Sequence, residues 1–171
     1  PWTKYLRVSK MKKSYLYLLF NLPISVLIGQ NICYTEIYPS GKPKTISYIV
    51  NKGVDKIRKE EFYGNGTLKK VGYYQFGNRQ GRWKSYYLSG NLKKKENFNN
   101  NILDGEMTIW HHNGNKKETG TFRNGKREGT FFSWKEDGSL YSKQSFSNGL
   151  ICCVIKYGDN GFIITDDNYC D

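Results

Sequence analysis

The residues of this chain that could do chemistry are few, and they stand as neighbours in sequence. His111 and His112 are adjacent, and pairs of acids occur at Glu60-Glu61 and Asp166-Asp167. Successive side chains of a β-strand point to opposite faces, so two adjacent histidines on a strand cannot share a metal ion. We therefore interpret the histidines as ordinary strand positions and the acids as solvated side chains.

Motifs of enzymes and nucleotide-binding proteins are absent from the sequence. It contains no G-x-S-x-G elbow, no H-E-x-x-H pair and no Walker loop. Residues 77–84 (GNRQGRWK) combine glycines with a lysine, but their spacing differs from a Walker loop and no phosphate-cradling helix is expected to follow. This segment is interpreted as a hairpin loop, and the chain is predicted to be no enzyme and to bind no cofactor or metal.

Four cysteines, Cys33, Cys152, Cys153 and Cys170, allow three disulfide pairings. Cys152 and Cys153 are neighbours on a predicted strand and should not pair with each other. One candidate bridge joins Cys170 to Cys152 or to Cys153, and buried or free thiols are the alternative. A zinc site is not expected, because no C-x-x-C pair occurs.

The composition describes a thin, basic domain. The 171 residues suffice for one domain. The apolar fraction is 37%, below the roughly 45–50% of ordinary globular domains, whereas aromatic residues make up 16%. The net charge of +12 favours anionic partners in general without distinguishing among them.

The beginning of the chain has the pattern of an export signal. Met11 is followed by two lysines and by an apolar run over residues 15–29, which is typical of a signal peptide. A spanning helix needs about 20 apolar residues, so cleavage, after Gly29, is favoured over retention as an anchor. Residues 1–10 are interpreted as lying upstream of the true start. Export to the periplasm, the cell envelope or the medium of a bacterium is predicted, where thiols can pair.

A 24-residue period sets the elements that position all these side chains. One glycine series recurs every 24 residues, and its first member lies 25 residues ahead of the next: Gly41, Gly66, Gly90, Gly114 and Gly138. Two further series are Gly81, Gly105, Gly129 and Gly77, Gly125, Gly149, with Asn101 in the vacant place of the last. Aromatic residues keep the same period at Phe62, Tyr86, Trp110 and Trp134. A fixed period of this length indicates a chain of stacked units.

Each unit is predicted to be a β-hairpin. In residues 62–85, an Asn-Gly turn precedes a strand over 68–76, a loop over 77–81 and a return strand over 82–88, which leaves no room for a helix. The predicted fold is all-β: an elongated antiparallel hairpin array in one twisted meander sheet, preceded by a signal-peptide helix. Residues 30–61 form a degenerate first repeat, residues 62–150 the repeats and residues 151–171 a C-terminal cap. Free sheet edges would permit self-association.

At these residues the chain resembles the MORN repeat, in particular its bacterial variant in YwqK-type antitoxin proteins. The segment ETGTFRNGKREGTFF (118–132) is similar to the family pattern of a glycine and an aromatic residue followed by Asn-Gly-Lys and a further glycine. The segment WKSYYLSGNLK (83–93) is similar to the variant's Trp, paired aromatics, Gly and Leu-Lys. The resemblance covers residues 37–165, most clearly 62–150. It implies a hairpin meander that binds protein or membrane and has no catalytic residues.

The predicted function is that of an exported protein-binding module, with Tyr86, Trp110 and Trp134 as candidate binding-face aromatics. One alternative is a peripheral binder of anionic membrane surfaces, and another is an antitoxin or immunity protein. Nucleic acid is not expected as a partner, because lysines on a one-layer sheet commonly solvate its faces and protect its edges.

Overall fold

The computed structural model describes residues 31–51 and 53–168 of the chain. Within these residues there is no helix, and thirteen strands form one open antiparallel sheet in sequence order, with β7 as a short side branch that pairs with β6. The predicted all-β meander is thereby confirmed, whereas the predicted signal-peptide helix over residues 11–29 lies outside the described residues. The strands are β1 Asn31–Ile37, β2 Pro43–Asn51, β3 Lys56–Phe62, β4 Leu68–Gln75, β5 Asn78–Tyr86, β6 Leu92–Asn99, β7 Ile102–Leu103, β8 Gly105–Trp110, β9 Lys116–Arg123, β10 Lys126–Trp134, β11 Leu140–Ser147, β12 Leu150–Tyr157 and β13 Ile163–Asn168.

From β3 onward, two kinds of connection alternate along the sheet. The first, which we call the wide turn, is a loop such as Tyr63–Thr67, in which the Gly66 N–H donates to the Tyr63 carbonyl at 2.8 Å and the Tyr63 N–H donates to the Thr67 carbonyl at 2.9 Å. The same pair of bonds closes the loops that begin at Tyr38, Tyr87, His111, Lys135 and Gly158. These bonds enclose a three-residue hairpin loop, residues 64–66 in this example. Such a loop usually ends with a glycine in the left-handed conformation.

The second connection, the tight turn, has only two residues. Both have positive φ, as at Asn124 (49°) and Gly125 (81°), which is the conformation of a type I′ hairpin turn. The predicted loop over residues 77–81 is wrong in this respect, because the turn is Phe76-Gly77 and β5 already begins at Asn78. Asn101, with φ of 69°, occupies the place that glycine holds in the other tight turns.

Gly81 and Gly129 each mark a β-bulge within a strand. Val71 pairs with Lys84 but Tyr73 pairs with Gln80, so residues 81–83 together oppose Gly72. Residues 129–131 oppose Gly120 in the same way on β9 and β10. In both bulges the first residue is a glycine with positive φ, as expected where an extra residue bends a strand. The 24-residue unit therefore consists of two strands, two turns and one bulge.

The sheet has two faces of different character. One, which we call the ring face, contains a row of packed aromatic side chains, in which Trp83 and Phe131 are each 2% exposed. On the opposite face, at the N-terminal end, Ile46, Tyr48 and Phe62 form a small buried cluster. No second layer covers the described part of the sheet, so nearest-neighbour packing between hairpins supplies its core.

Candidate functional site

Side chains of consecutive wide turns are joined in a ladder. The hydroxyl of Tyr63 donates to the Tyr86 carbonyl at 2.9 Å, and the hydroxyl of Tyr87 donates to the Trp110 carbonyl at 2.6 Å. Tyr38 makes the same bond to the Phe62 carbonyl at 2.8 Å. In the last joint, Lys135 forms an ion pair with Asp159 instead. This edge of the array is therefore held by one repeated contact, which we call the wide-turn ladder.

The two histidines belong to this ladder and its turn, not to a strand. Strand β8 ends at Trp110, so the expectation of strand positions for His111 and His112 is wrong. His111 Nε2 lies 2.9 Å from the Trp134 carbonyl and donates to it, in the place that tyrosine holds in earlier units. The ring of His112 stacks on Tyr87 with 3.6 Å between centroids. Among the described residues, no group of three or more His, Cys, Asp or Glu side chains could hold a metal ion.

Aromatic rings on the ring face pack edge to face across neighbouring strands. Trp83 lies 5.2 Å from Tyr74, and Phe131 lies 5.5 Å from Phe122 and 5.2 Å from Phe146. Such T-shaped pairs contribute roughly 0.5–1.5 kcal/mol beyond their buried area. The guanidinium of Arg127 covers Phe131 at 4.5 Å and also pairs with Glu118 at 2.8 Å. This face is filled by its own side chains.

The two most buried rings of the ring face, Trp83 and Phe131, lie directly on glycines that the sequence analysis did not single out. A Cβ atom at Gly72 would stand 2.1 Å from the Trp83 ring, and one at Gly120 would stand 2.3 Å from the Phe131 ring. In the other units the equivalent positions are Glu96 and Gln144, and the ring is replaced by Met107 or Val154. The shared spacing of eleven residues between glycine and ring was the available signal.

The predicted turn glycines occupy the turns and bulges described above. Each has positive φ: Gly41, Gly66, Gly90, Gly114 and Gly138 in wide turns, Gly77, Gly125 and Gly149 in tight turns, and Gly81, Gly105 and Gly129 at the start of bulges or of β8.

The candidate binding-face aromatics occupy one repeated position, the last residue of the strand before a wide turn. Tyr86, Trp110 and Trp134 are half-buried there, and their carbonyls accept the bonds of the wide-turn ladder. They lie on the face opposite the ring face, where Trp134 stacks on Phe132 at 6.0 Å. Their backbones are thus structural, and their rings remain partly accessible.

Three cations on that opposite face lie together. Arg82 and Lys84 are exposed on β5, and Lys84 pairs in register with Lys95 on β6. None of the three makes an ion pair within the part of the chain that the structure describes, whereas Lys94 pairs with Glu96 at 2.9 Å. We call Arg82, Lys84 and Lys95 the cationic triad. Sequence analysis did not group these three residues, because strand register was needed to bring them together.

The two acid pairs differ from each other. The expectation that Glu60 is solvated is wrong: it is 7% exposed, accepts a hydrogen bond from the Tyr48 hydroxyl at 3.1 Å and pairs with Arg58. Burial and the nearby Glu60 carboxylate raise the pKa of the Tyr48 hydroxyl. Asp166 and Asp167 are exposed at the sheet edge.

Of the cysteines, Cys152 is disulfide-bonded and Cys153 is a half-buried free thiol. Cys170 and the side chain of Cys33 lie outside the described residues, so the candidate bridge to Cys170 stays a prediction. The described residues include no helix of the length and hydrophobicity that a membrane crossing requires.

Comparison with known families agrees with this geometry. The model of the MORN repeat variant matches residues 79–100, 103–124 and 127–148. Each matched segment begins at the second residue after one tight turn and ends within the next, so the family unit is two strands around a wide turn. No curated protein matches the chain. The expected resemblance to the MORN repeat variant is therefore confirmed over three consecutive repeats, 79–148.

Proposed function

We propose that this chain is a non-enzymatic docking protein, which binds an acidic protein partner through the basic part of its array. One observation carries the proposal: residues 62–95 contain eight basic residues and no acidic one. Residues 96–168 contain eight basic and ten acidic residues. The positive charge of the array is therefore concentrated on β4, β5 and the start of β6.

The cationic triad is the centre of this surface. Lys84 and Lys95 face each other across β5 and β6, and their other register partners are Val71 and Thr108. Like charges directly opposite in a sheet are destabilising. A carboxylate from a partner would relieve that repulsion, which supports an acidic segment as the ligand.

The flanking aromatics supply the apolar part of the same surface. Tyr86 ends β5 on the face that bears the triad, and Tyr73 lies one strand away, with the Lys56 ammonium 5.0 Å from its ring centroid. Tyrosine and arginine are enriched in the energetically dominant positions of protein interfaces. Charge steers the encounter, and the aromatic contacts slow dissociation.

The test is affinity capture with matched variants. The array carrying Arg82→Gln, Lys84→Gln and Lys95→Gln is compared with one carrying Lys117→Gln, Arg123→Gln and Lys126→Gln, which removes the same charge from exposed positions elsewhere. The proposal predicts proteins that the wild type and the control variant capture from an envelope extract and the triad variant does not. Each such protein should be identified, purified and tested again for binding. Equal loss with both variants would reject the triad as the docking site.

Anionic membrane surfaces are the second candidate, supported by the same concentration of charge. Each basic residue near an anionic surface contributes about 1 kcal/mol, and this attraction is screened within a Debye length of about 8 Å at physiological salt. The wild type would then pellet with vesicles that contain anionic lipid, and both added salt and the triad substitutions would abolish the pelleting. That result would favour this candidate over a protein partner. Pelleting that persists at high ionic strength would exclude a purely electrostatic role.

The resemblance to YwqK-type antitoxin proteins supports a third candidate, in which the partner is a toxin. Co-expression with the products of neighbouring genes in a growth assay tests it, with the triad variant as the control for docking. We also propose that the protein is exported, on the basis of the basic and apolar pattern over residues 11–29. Cell fractionation followed by N-terminal sequencing of the mature protein tests export and the position of cleavage.

A further inference from the structure

One unit departs from the others where its wide turn ends. Of the four wide turns between β3 and β11, three lead into a strand that begins with Leu68, Leu92 or Leu140, and one leads into Lys116. Those leucines are half-buried, and Leu68 packs against the buried cluster of Ile46, Tyr48 and Phe62. Lys116, in contrast, is exposed. At this position of the repeat, a half-buried leucine has therefore been replaced by an accessible charge.

A cleft lies beside Lys116, between two consecutive wide turns. It has a volume of about 270 Å³ and is lined by Asn115, Lys116, Trp134 and Gly138. The Lys116 ammonium lies 5.9 Å from the centroid of the Trp134 ring. Gly138 leaves the edge of the cleft open, because a Cβ atom at this position would lie 3.6 Å from the side-chain nitrogen of Asn115.

The polar groups of this cleft are the side-chain amide of Asn115 and the ammonium of Lys116. The Asn115 side-chain nitrogen donates to the Glu136 carbonyl at 2.8 Å, so its side-chain oxygen is left to accept a further hydrogen bond. Lys116 makes no ion pair with any described acidic residue. The cleft thus offers an indole ring, a cation and a hydrogen-bond acceptor, which is the mixture of aromatic and few convergent polar groups found in small-molecule sites.

We propose that this cleft binds an acidic sugar, a pyranose ring that carries a carboxylate. The apolar face of the ring would pack on Trp134, the carboxylate would pair with Lys116, and a ring hydroxyl would donate to the Asn115 side-chain oxygen. A neutral sugar would leave Lys116 unpaired, and a simple aromatic acid would bring no hydroxyl for Asn115. The volume admits one sugar unit, and the open rim permits it to be one residue of a polymer. This site is distinct from the cationic triad. The triad lies on β5 and β6, whereas the cleft lies between the wide turns that precede β9 and β11.

The test is a titration with three probes, glucuronate, glucose and benzoate, followed through the Trp134 indole N–H resonance. The Trp134→Tyr variant assigns that resonance and keeps a ring, since Tyr86 occupies the equivalent position. A single sugar unit that makes few contacts should bind with a Kd of about 1 mM. Glucuronate is expected to bind at least about tenfold more tightly than either other probe, because it alone supplies both a carboxylate and hydroxyls.

The decisive variant is Lys116→Leu, which restores the residue of the other units and should therefore fold. It is expected to weaken glucuronate binding about tenfold or more and to leave the thermal midpoint unchanged or raised. The control Lys117→Leu removes the same charge from the neighbouring exposed position and should bind as the wild type does. Unchanged binding by Lys116→Leu, or equal affinity for glucuronate and glucose, would overturn the proposal. Equal affinity for benzoate would overturn the assignment to a sugar.

Discussion

The contact between Gly72 and Trp83, and its repeat between Gly120 and Phe131, explains how a one-layer sheet buries large rings. Each ring lies flat on a backbone that has no Cβ, so its second face is covered without a second layer of structure. Where the glycine is absent, at Glu96 and Gln144, the chain also lacks the ring. The two positions therefore work as a pair.

Gly120→Ala is expected to destabilise the array by about 1–3 kcal/mol or more, because its Cβ would overlap the buried Phe131 ring. Gly64→Ala is the matched control, since a Cβ at Gly64 meets no atom within 4 Å. Denaturant titration of both variants measures the difference. Equal stabilities would contradict the proposed role of the glycine.

Trp83→Phe should be tolerated, although Trp83 is among the most buried side chains. Its indole N–H has no hydrogen-bond partner within the described structure, and Phe131 fills the equivalent place in another unit. Removing an unsatisfied buried donor can be neutral or stabilising, so a change within about 1 kcal/mol is expected. Trp83→Ala should cost about 3–5 kcal/mol. Thermal unfolding of the two variants distinguishes loss of the donor from loss of the ring.

Sequence alone located the glycines of the turns but missed those beneath the rings. The turn glycines recur at one period and accompany Asn, Ser or Asp, which gives a local signal. Gly72 and Gly120 occur in only two units, and their role depends on where a ring eleven residues later comes to lie. Strand register decides that contact, and the bulge that sets the register was not predicted.

At the scale of elements, the wide turns are the joints between units. Their ladder uses a side chain of one turn and a carbonyl of the next, with tyrosine in the first three joints, His111 in the fourth and Lys135 in the last. The sequence indicated these turns but not the ladder. Tyr87 fell within the predicted return strand over residues 82–88, and His111 and His112 were also predicted to lie on a strand.

Tyr87→Phe is expected to destabilise the array by about 1–3 kcal/mol, because the half-buried Trp110 carbonyl loses its donor. The control is Tyr141→Phe, whose 45% exposed side chain makes no hydrogen bond within the described residues. Urea unfolding of both variants measures the ladder contact. A loss with Tyr141→Phe as large as that with Tyr87→Phe would show that the ladder is not the cause.

The contribution of the wide turn over residues 135–139 to stability should decrease at acidic pH. Hydrogen bonds from the Ser139 hydroxyl and N–H hold the pKa of Asp137 below its usual value of 3.8. A carboxyl whose pKa is lowered in the folded state contributes stability above its unfolded pKa, and this contribution is lost as the pH falls through the folded value. Asp137→Asn keeps the acceptor, as Asn65 and Asn113 do in their turns. Its stability should therefore depend less on pH below about pH 4, as measured by urea unfolding across that range.

At the scale of the whole molecule, stability should be a sum over neighbouring units. Contacts between strands that are adjacent in sequence dominate the fold, and no described element bridges distant units. Such arrays behave as nearly one-dimensional systems. The meander was predictable for this reason, since every unit repeats the same local pattern, whereas the proposed docking surfaces depend on how individual units differ.

Deletion of residues 92–115 removes one whole unit and should leave a folded, less stable array. The Tyr87 hydroxyl would then meet the Trp134 carbonyl in place of the Trp110 carbonyl. The dependence of the unfolding free energy on urea should fall with the surface lost. Deletion of residues 92–103 is the contrasting variant, because it joins a wide turn to the wrong strand and should prevent folding. A folded protein from that half-unit deletion, judged by circular dichroism, would contradict the unit assigned here.

The last complete hairpin is one residue shorter than the others, and its register locates the loss. Phe146 pairs in register with Ile151 and Ser145 with Cys153, so this bulge contains one surplus residue, Cys152, where other bulges contain two. Most proteins accept insertions and deletions in their loops, but here the loops are bonded from unit to unit and cannot change length freely.

Length variation between homologous arrays should therefore accumulate inside strands, at the bulges. For the same reason, a label should be inserted at a bulge and not in a turn.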